Sequence, residues 1–198
     1  MKLEWKRTHI QLEKELNSLD MFVIDFTKLL DEMNIKYVLV SGYVAILFGR
    51  SRSSEDIDMM METVDESTFS LLWNALKKRF WCLNTSISKE AFVEYLNQGL
   101  ALRFAYQNTA IPNMEVKLVK NELDDWTLSQ RQKVKLNNTL LHISPLELQI
   151  PFKLFLGSQK DMEDARYLNN IFKDKLNRQM LHDFARKLKI EQELREYL

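Results

Sequence analysis

The sequence is poor in the residues that staple, break or loosen a chain. Among 198 residues there are one cysteine (Cys82), three prolines and four glycines. A lone cysteine excludes a disulfide framework and a multi-cysteine zinc site. So few Gly and Pro leave no room for long flexible linkers, and they make each glycine informative. His9, His142 and His182 are scattered without metal-ligand spacing. Net charge is missing as well. The 28 Lys+Arg and 28 Asp+Glu cancel, which argues against a chain that coats nucleic acid nonspecifically. No run approaches the roughly 18 apolar residues of a membrane span. The first residues, MKLEWKRTH, are charged and carry no apolar signal core. A cytoplasmic protein with no membrane partner is the expectation.

Apolar residues make up 45% of the chain, enough for a globular core and too many for disorder. The length suits one domain, or one with a small appendage. The zero net charge is a sum of opposed blocks. Residues 55–66 hold six acids and no Lys or Arg, whereas residues 131–189 hold twelve Lys+Arg against six acids.

Apolar positions from Ile10 to Met33 recur at helical spacing, so residues 8–33 are expected to form one amphipathic helix or two. Tyr37–Val40 reads as a buried strand, 43–49 as a short helix stopping at Gly49, and Ile57–Met61 as a second strand. Helices are expected over 66–81 and 88–97. Leu100–Tyr106 and Met114–Val119 read as a hairpin, and 132–136 with 139–143 as another pair across Asn137-Asn138. Ser144-Pro145-Leu146-Glu147 has the composition of a capping box, and Ser158–Asp161 that of a weaker one. Residues 1–143 are thus expected to form an α/β core with an N-terminal helix. Residues 144–198 are expected to form a helical region packed on it.

The segment SGYVAILFGRSRSSEDID, residues 41–58, carries the chemistry. Asp56 and Asp58 stand at i and i+2 on a strand and so share a face. Two like charges placed together repel unless a cation lies between them. Such a pair suits Mg²⁺, which favours one or two carboxylates plus substrate phosphates. Ser41-Gly42 lies between strand and helix, where backbone N–H groups can meet a phosphate and Gly permits close approach. Arg50 and Arg52 have the geometry to hold further phosphate charge. An isolated Asp-x-Asp could equally be a solvated strand edge; the ordered set is more specific.

In this order the residues resemble the nucleotidyltransferase superfamily, the polymerase-β-like fold. That pattern is an apolar residue, Gly, then Gly or Ser, and later Asp-apolar-[Asp/Glu]-apolar. Here it reads Val40-Ser41-Gly42 and Asp56-Ile57-Asp58-Met59, with Ser41 in place of the first Gly. The run Gly49-Arg50-Ser51-Arg52-Ser53-Ser54-Glu55-Asp56-Ile57-Asp58 is similar to one in small stand-alone prokaryotic members related to AbiEii toxins. So are Lys153 and the later Lys160-Asp161-Met162-Glu163-Asp164. Pro151 departs from the family's helix-forming residue there. The resemblance covers about residues 37–170.

The resemblance implies an α+β nucleotidyltransferase fold, a mixed β-sheet flanked by helices, with a C-terminal helical region. It implies transfer of an NMP from a nucleoside triphosphate to an acceptor hydroxyl, with Mg²⁺ or Mn²⁺ as cofactor. Asp56 and Asp58 would be metal ligands. Glu115, the one acid of the 100–119 hairpin, would be the third carboxylate; the other reading is an exposed position beside Lys117. Ser41, Gly42, Arg50 and Arg52 would bind nucleotide. Lys153 would contact phosphate or an ion-pair partner, unless it lies on the solvent side of its helix. Asp164 is carried over as a catalytic residue; Asp161 reads mainly as a helix cap. An RNA end, a protein hydroxyl and a small molecule all suit the acceptor, and an antitoxin partner is compatible. The competing reading is an inactive member that binds a nucleotide or a partner.

Overall fold

The computed structural model describes residues 1–197. Two strands open the chain, β1 (Lys2–Trp5) and β2 (Ile10–Glu13), followed by α1 (Ser18–Glu32), β3 (Tyr37–Leu39), α2 (Gly42–Leu47) and β4 (Asp56–Met61). Next come α3 (Glu66–Leu76), β5 (Phe80–Cys82), α4 (Ser88–Glu90), a π-helical turn (Ala91–Leu96), β6 (Leu102–Tyr106) and β7 (Asn113–Leu118). After α5 (Glu122–Ser129), strands β8 (Gln132–Leu136) and β9 (Thr139–Ile143) lead into α6 (Leu146–Leu156), α7 (Gln159–Phe172), α8 (Arg178–Leu188) and α9 (Glu191–Tyr197). Among the described residues the strands form one nine-stranded mixed sheet, ordered β1-β2-β8-β9-β3-β4-β7-β6-β5.

The centre of this sheet positions the candidate site. β3 runs antiparallel to β4, and β4 parallel to β7. On β4, Ile57, Met59 and Met61 are buried in the core, while Asp56, Asp58 and Met60 take the opposite face. On β7, Met114, Val116 and Leu118 are buried, and Glu115 and Lys117 alternate with them. α1 supplies Phe22 and Phe26, which meet Phe80, Phe104 and Tyr106 edge-on or tilted. Such pairs contribute about 0.5–1.5 kcal/mol each beyond area burial. α6 packs against α7 and α8, and α7 against α2. The helical C-terminal region therefore reaches back to the turn that opens α2. No helix among the described residues is long and apolar enough to cross a membrane.

Several local expectations are corrected. Residues 8–33 do not form a continuous helix: Ile10 and Leu12 are fully buried at period two on β2, which pairs with β1 and β8. The helix starts where Asn17 and Asp20 make a reciprocal capping box. Ile10 and Leu12 fit a strand, Leu12, Leu16 and Leu19 fit a helix, and the cap marks the change. The helix expected over 66–81 ends at Leu76. Three cations, Lys77, Lys78 and Arg79, interrupt its apolar face, and Phe80–Cys82 pairs antiparallel with β6. Cys82 is therefore half-buried on an edge strand. The box at Ser144–Glu147 is not made: the Ser144 hydroxyl donates to Gln149 Oε1 at 2.6 Å, and Glu147 accepts from the Asn177 amide. Ser158 does cap α7, accepting from the Asp161 N–H.

Candidate active site

The turn after β3 is a tight one. Ser41 has φ +60° and ψ −134°, a region that costs a residue with a Cβ about 1–3 kcal/mol. The Gln149 side chain holds it in place. Its Nε2 donates to the Ser41 carbonyl at 2.8 Å, and its Oε1 accepts from the Ser41 N–H at 3.3 Å. The Ser41 N–H is therefore engaged within the protein. The Ser41 hydroxyl lies near enough to Asp58 to favour its ionised carboxylate. Gly42 is required for a different close approach. A Cβ there would collide with the Arg52 guanidinium, which lies against the Gly42 backbone.

Asp58 and Glu115 are register partners on β4 and β7. Burial pushes the Asp58 carboxyl up from its ordinary range. The Ser41 hydroxyl and Lys117 oppose the rise, while the Glu115 and Asp56 charges add to it. Burial also pushes Glu115 up, but Lys117 at 2.8 Å and Arg103 at 3.2 Å outweigh it and hold the carboxyl below its usual range. Asp56 is exposed at the strand's start and accepts from Asn113 Nδ2 at 2.6 Å.

Arg50, Arg52 and Lys153 meet on one carboxylate. Asp164 is fully buried; its Oδ1 accepts from Arg50 Nε at 2.6 Å. Its Oδ2 accepts from Arg52 Nη2 at 3.0 Å and Lys153 Nζ at 2.8 Å. Lys153 is 1% exposed and also pairs with Asp161 at 2.9 Å; Arg50 reaches Glu163 as well. Three cations and three acids thus neutralise one another where the loop 50–55 meets α6 and α7. The two arginines expected to face phosphate are engaged in this network. Asp164 holds Arg50, Arg52 and Lys153 together through these ion pairs.

A slot of about 350 Å³ brings these parts together. Ser41, Asp58, Glu115, Lys117, Gln149 and Lys153 line it together with the apolar Met60, Leu123, Leu148, Phe152 and Leu156, and Met60 is the register partner of Lys117. Helix α6 supplies both textures through two adjacent stripes at i, i+4 spacing: Gln149 with Lys153, and Leu148 with Phe152 and Leu156. Asp56 and Asp164 are not among the lining residues.

The donor chemistry fits a hard divalent cation. Asp58 and Glu115 face each other, Asp56 shares the Asp58 face, and mutual repulsion contributes to the raised Asp58 carboxyl. With Asp56 held by Asn113, and Glu115 by Arg103 and Lys117, no three His, Cys, Asp or Glu side chains converge on a metal position among the described residues. Sequence reasoning missed Gln149, Asn113 and Arg103. The i, i+4 relation of Gln149 to Lys153 was the available signal for the first; no local pattern marks the other two.

No protein-family model matches the chain, and no curated protein matches it by sequence. Solved structures do resemble it. An antigenic nucleotidyltransferase-like protein from Paracoccidioides brasiliensis superposes with a TM-score of 0.55 at 16% identity, over 89% of this chain and 90% of that one. The lincosamide antibiotic adenylyltransferase LnuA, solved with lincomycin, gives 0.50 at 15% identity over 80% and 99%. The antibiotic-resistance factor ANT(2'')-Ia gives 0.50 at 9% identity over 89% and 94%. At these identities the likeness shows the fold: the chain has a nucleotidyltransferase-like architecture.

Proposed function

We propose that the protein transfers an NMP from a nucleoside triphosphate to an acceptor hydroxyl, releasing pyrophosphate. The observation that carries this reading is the pairing of Asp58 with Glu115 in one slot with Ser41 and Lys153, on a fold shared with nucleotidyltransferases. The new bond joins the acceptor oxygen to the α-phosphorus. The bond from that phosphorus to the leaving pyrophosphate oxygen breaks, and the hydroxyl proton is lost.

Arg50, Arg52 and Lys153 are neutralised by Asp161, Glu163 and Asp164, so the protein has little surplus positive charge to meet a triphosphate. Asp56, Asp58 and Glu115 would hold Mg²⁺ or Mn²⁺, which when bound neutralises phosphate charge and sharpens the acceptor oxygen as a nucleophile. Ser41 favours the ionised form of Asp58, and Gln149 fixes the turn that presents Ser41. Lys153 is held on Asp161 and Asp164 at the edge of the slot, aimed by its partners.

Basic residues 131–189 favour a polyanion such as an RNA end, with a protein hydroxyl next. A toxin role paired with an antitoxin rests on the AbiEii-like motifs alone. One observation favours the second reading, an inactive nucleotide-binding member: no three acids converge among the described residues. Calorimetry with a nucleoside triphosphate, with and without Mg²⁺, tests the shared core of both. Binding that needs Mg²⁺ and is lost in Asp56→Ala plus Asp58→Ala supports it; metal-independent binding, or none, contradicts it. Turnover then separates the two.

A further inference from the structure

Among the described residues, the non-glycine positions with positive φ are Asn34, Ser41, Asn108, Asn137 and Lys189. Asparagine tolerates the left-handed region through its short polar side chain. Lys189, at ψ +41°, lies in that region as the C-cap of α8. Ser41 lies outside it. Its φ of +60° with ψ of −134° matches the first central position of a type II′ turn, which glycine ordinarily fills. A sparsely populated backbone of this kind persists only where its surroundings over-determine it.

Those surroundings are the first turn of α6. Gln149 is 4% exposed, and its amide matches the Ser41 peptide group for group. Nε2 donates to the Ser41 carbonyl at 2.8 Å, and Oε1 accepts from the Ser41 N–H at 3.3 Å. The amide is itself aimed. Ser144 donates its hydroxyl to the same Oε1 at 2.6 Å, and its N–H donates to the Leu39 carbonyl at 2.9 Å. One residue before the turn, the Val40 N–H donates to the Asp58 carbonyl at 3.0 Å. Hydrogen bonds therefore run from α6 through residues 39–41 to the backbone of Asp58. Rotating the Ser41 peptide would strip a buried amide of its partners, which costs more than such bonds contribute when made.

Resting on the nucleotidyl-transfer reading above, we infer that Gln149 is a positioning residue for the reaction: its amide holds a serine in a turn shaped for glycine, and through that turn it sets Asp58 in the slot. Serine brings a hydroxyl beside Asp58, which glycine cannot. Gln149 and Ser41 therefore act as a pair. The clamp is needed because position 41 carries a side chain. It loses most of its value when that position is glycine, which adopts positive φ about as readily as negative.

A double-mutant cycle on the full chain tests the pairing. Gln149→Met keeps the reach of the side chain and removes the amide, and Ser41→Gly removes the strain. In urea unfolding, Gln149→Met is expected to lower the folding equilibrium constant about tenfold more in the wild-type background than in the Ser41→Gly background. Turnover should follow the same cycle. Gln149→Met should lower kcat by about tenfold to a hundredfold in the wild-type background, as a small misplacement does. Relative to Ser41→Gly alone, it should lower kcat by no more than about threefold. Equal costs in the two backgrounds overturn the inference. So does a folded Gln149→Met variant that turns over like wild type, which would make Gln149 merely structural. If Gln149→Met does not fold, folding of the double variant supports the pairing, and failure of both contradicts it. Wild-type protein without turnover falls on the nucleotidyl-transfer reading, and the urea cycle then still decides the clamp.

Discussion

Asp58 on β4 stands directly opposite Glu115 on β7, two carboxylates in register on adjacent parallel strands. Their protonation is driven apart. Burial, with help from Glu115 and Asp56, raises Asp58, while Lys117 and Arg103 overcome burial and lower Glu115. The folded state therefore binds its Asp58 proton more tightly than the unfolded chain does. Ionising Asp58 costs stability above its folded pKa, and that cost is relieved as the pH falls through it. Asp58→Asn is expected to raise the melting temperature at neutral pH without metal, and to abolish any Mg²⁺-induced rise. Glu115→Gln should do the opposite in metal-free buffer, since a lowered carboxyl stabilises the fold above its unfolded pKa. Thermal denaturation with and without Mg²⁺ checks both signs.

Asp164 joins the loop after α2 to α6 and α7 through three buried or half-buried cations. Asp164→Ala leaves Arg50, Arg52 and Lys153 without their shared partner. Breaking a buried pair in this way costs about 3–5 kcal/mol, a large part of the roughly 5–15 kcal/mol that holds a domain together. Asp161→Ala, at a partly exposed position that pairs with Lys153 alone among these cations, should cost clearly less. Urea unfolding of the two variants measures the difference.

His142 sits on β9 against the Tyr37 ring, and its Nδ1 has no hydrogen-bond partner. Burial, then Arg131 and Lys133, push it down to about 4. In the unfolded chain it takes a proton near 6.5, the ordinary imidazole value. Stability is therefore lost as the pH falls from about 6.5 towards about 4, because only the unfolded state is protonated there. His142→Gln should flatten the stability profile in that window and leave the slope above pH 7 unchanged, as measured by urea titrations across pH.

The local pattern carried the central strand–turn–helix–strand and the late strand pair. Period-two burial and turn residues are short-range signals, and β8 and β9 lie where those signals put them. β2 was illegible because only Ile10 and Leu12 alternate, while Leu12, Leu16 and Leu19 continue at helical spacing; β1 is four residues long and carries no turn signal. Pairing with β1 and with β8, the latter more than a hundred residues away, holds the segment as a strand up to the cap at Asn17. Within the candidate site, Asp58, Glu115 and Lys153 line one slot. The fate of Arg50 and Arg52 was not legible, since nothing local says that a guanidinium suited to phosphate will be claimed by a carboxylate 112–114 residues later. Pro151 does not break α6, which runs on to Leu156.

The account's central claim is chemical turnover at Asp58 and Glu115. The direct measurement is transfer of label from α-³²P nucleoside triphosphates, in Mg²⁺ or Mn²⁺, to total cellular RNA and protein, with pyrophosphate release followed in parallel. Wild-type protein is predicted to label an acceptor and release pyrophosphate in step. Asp58→Asn and Glu115→Gln should each lose about a thousandfold in rate, the several kcal/mol of charge stabilisation that a metal-held site supplies. No transfer by wild-type protein at high concentration, or equal transfer by the Asp58→Asn variant, would contradict it.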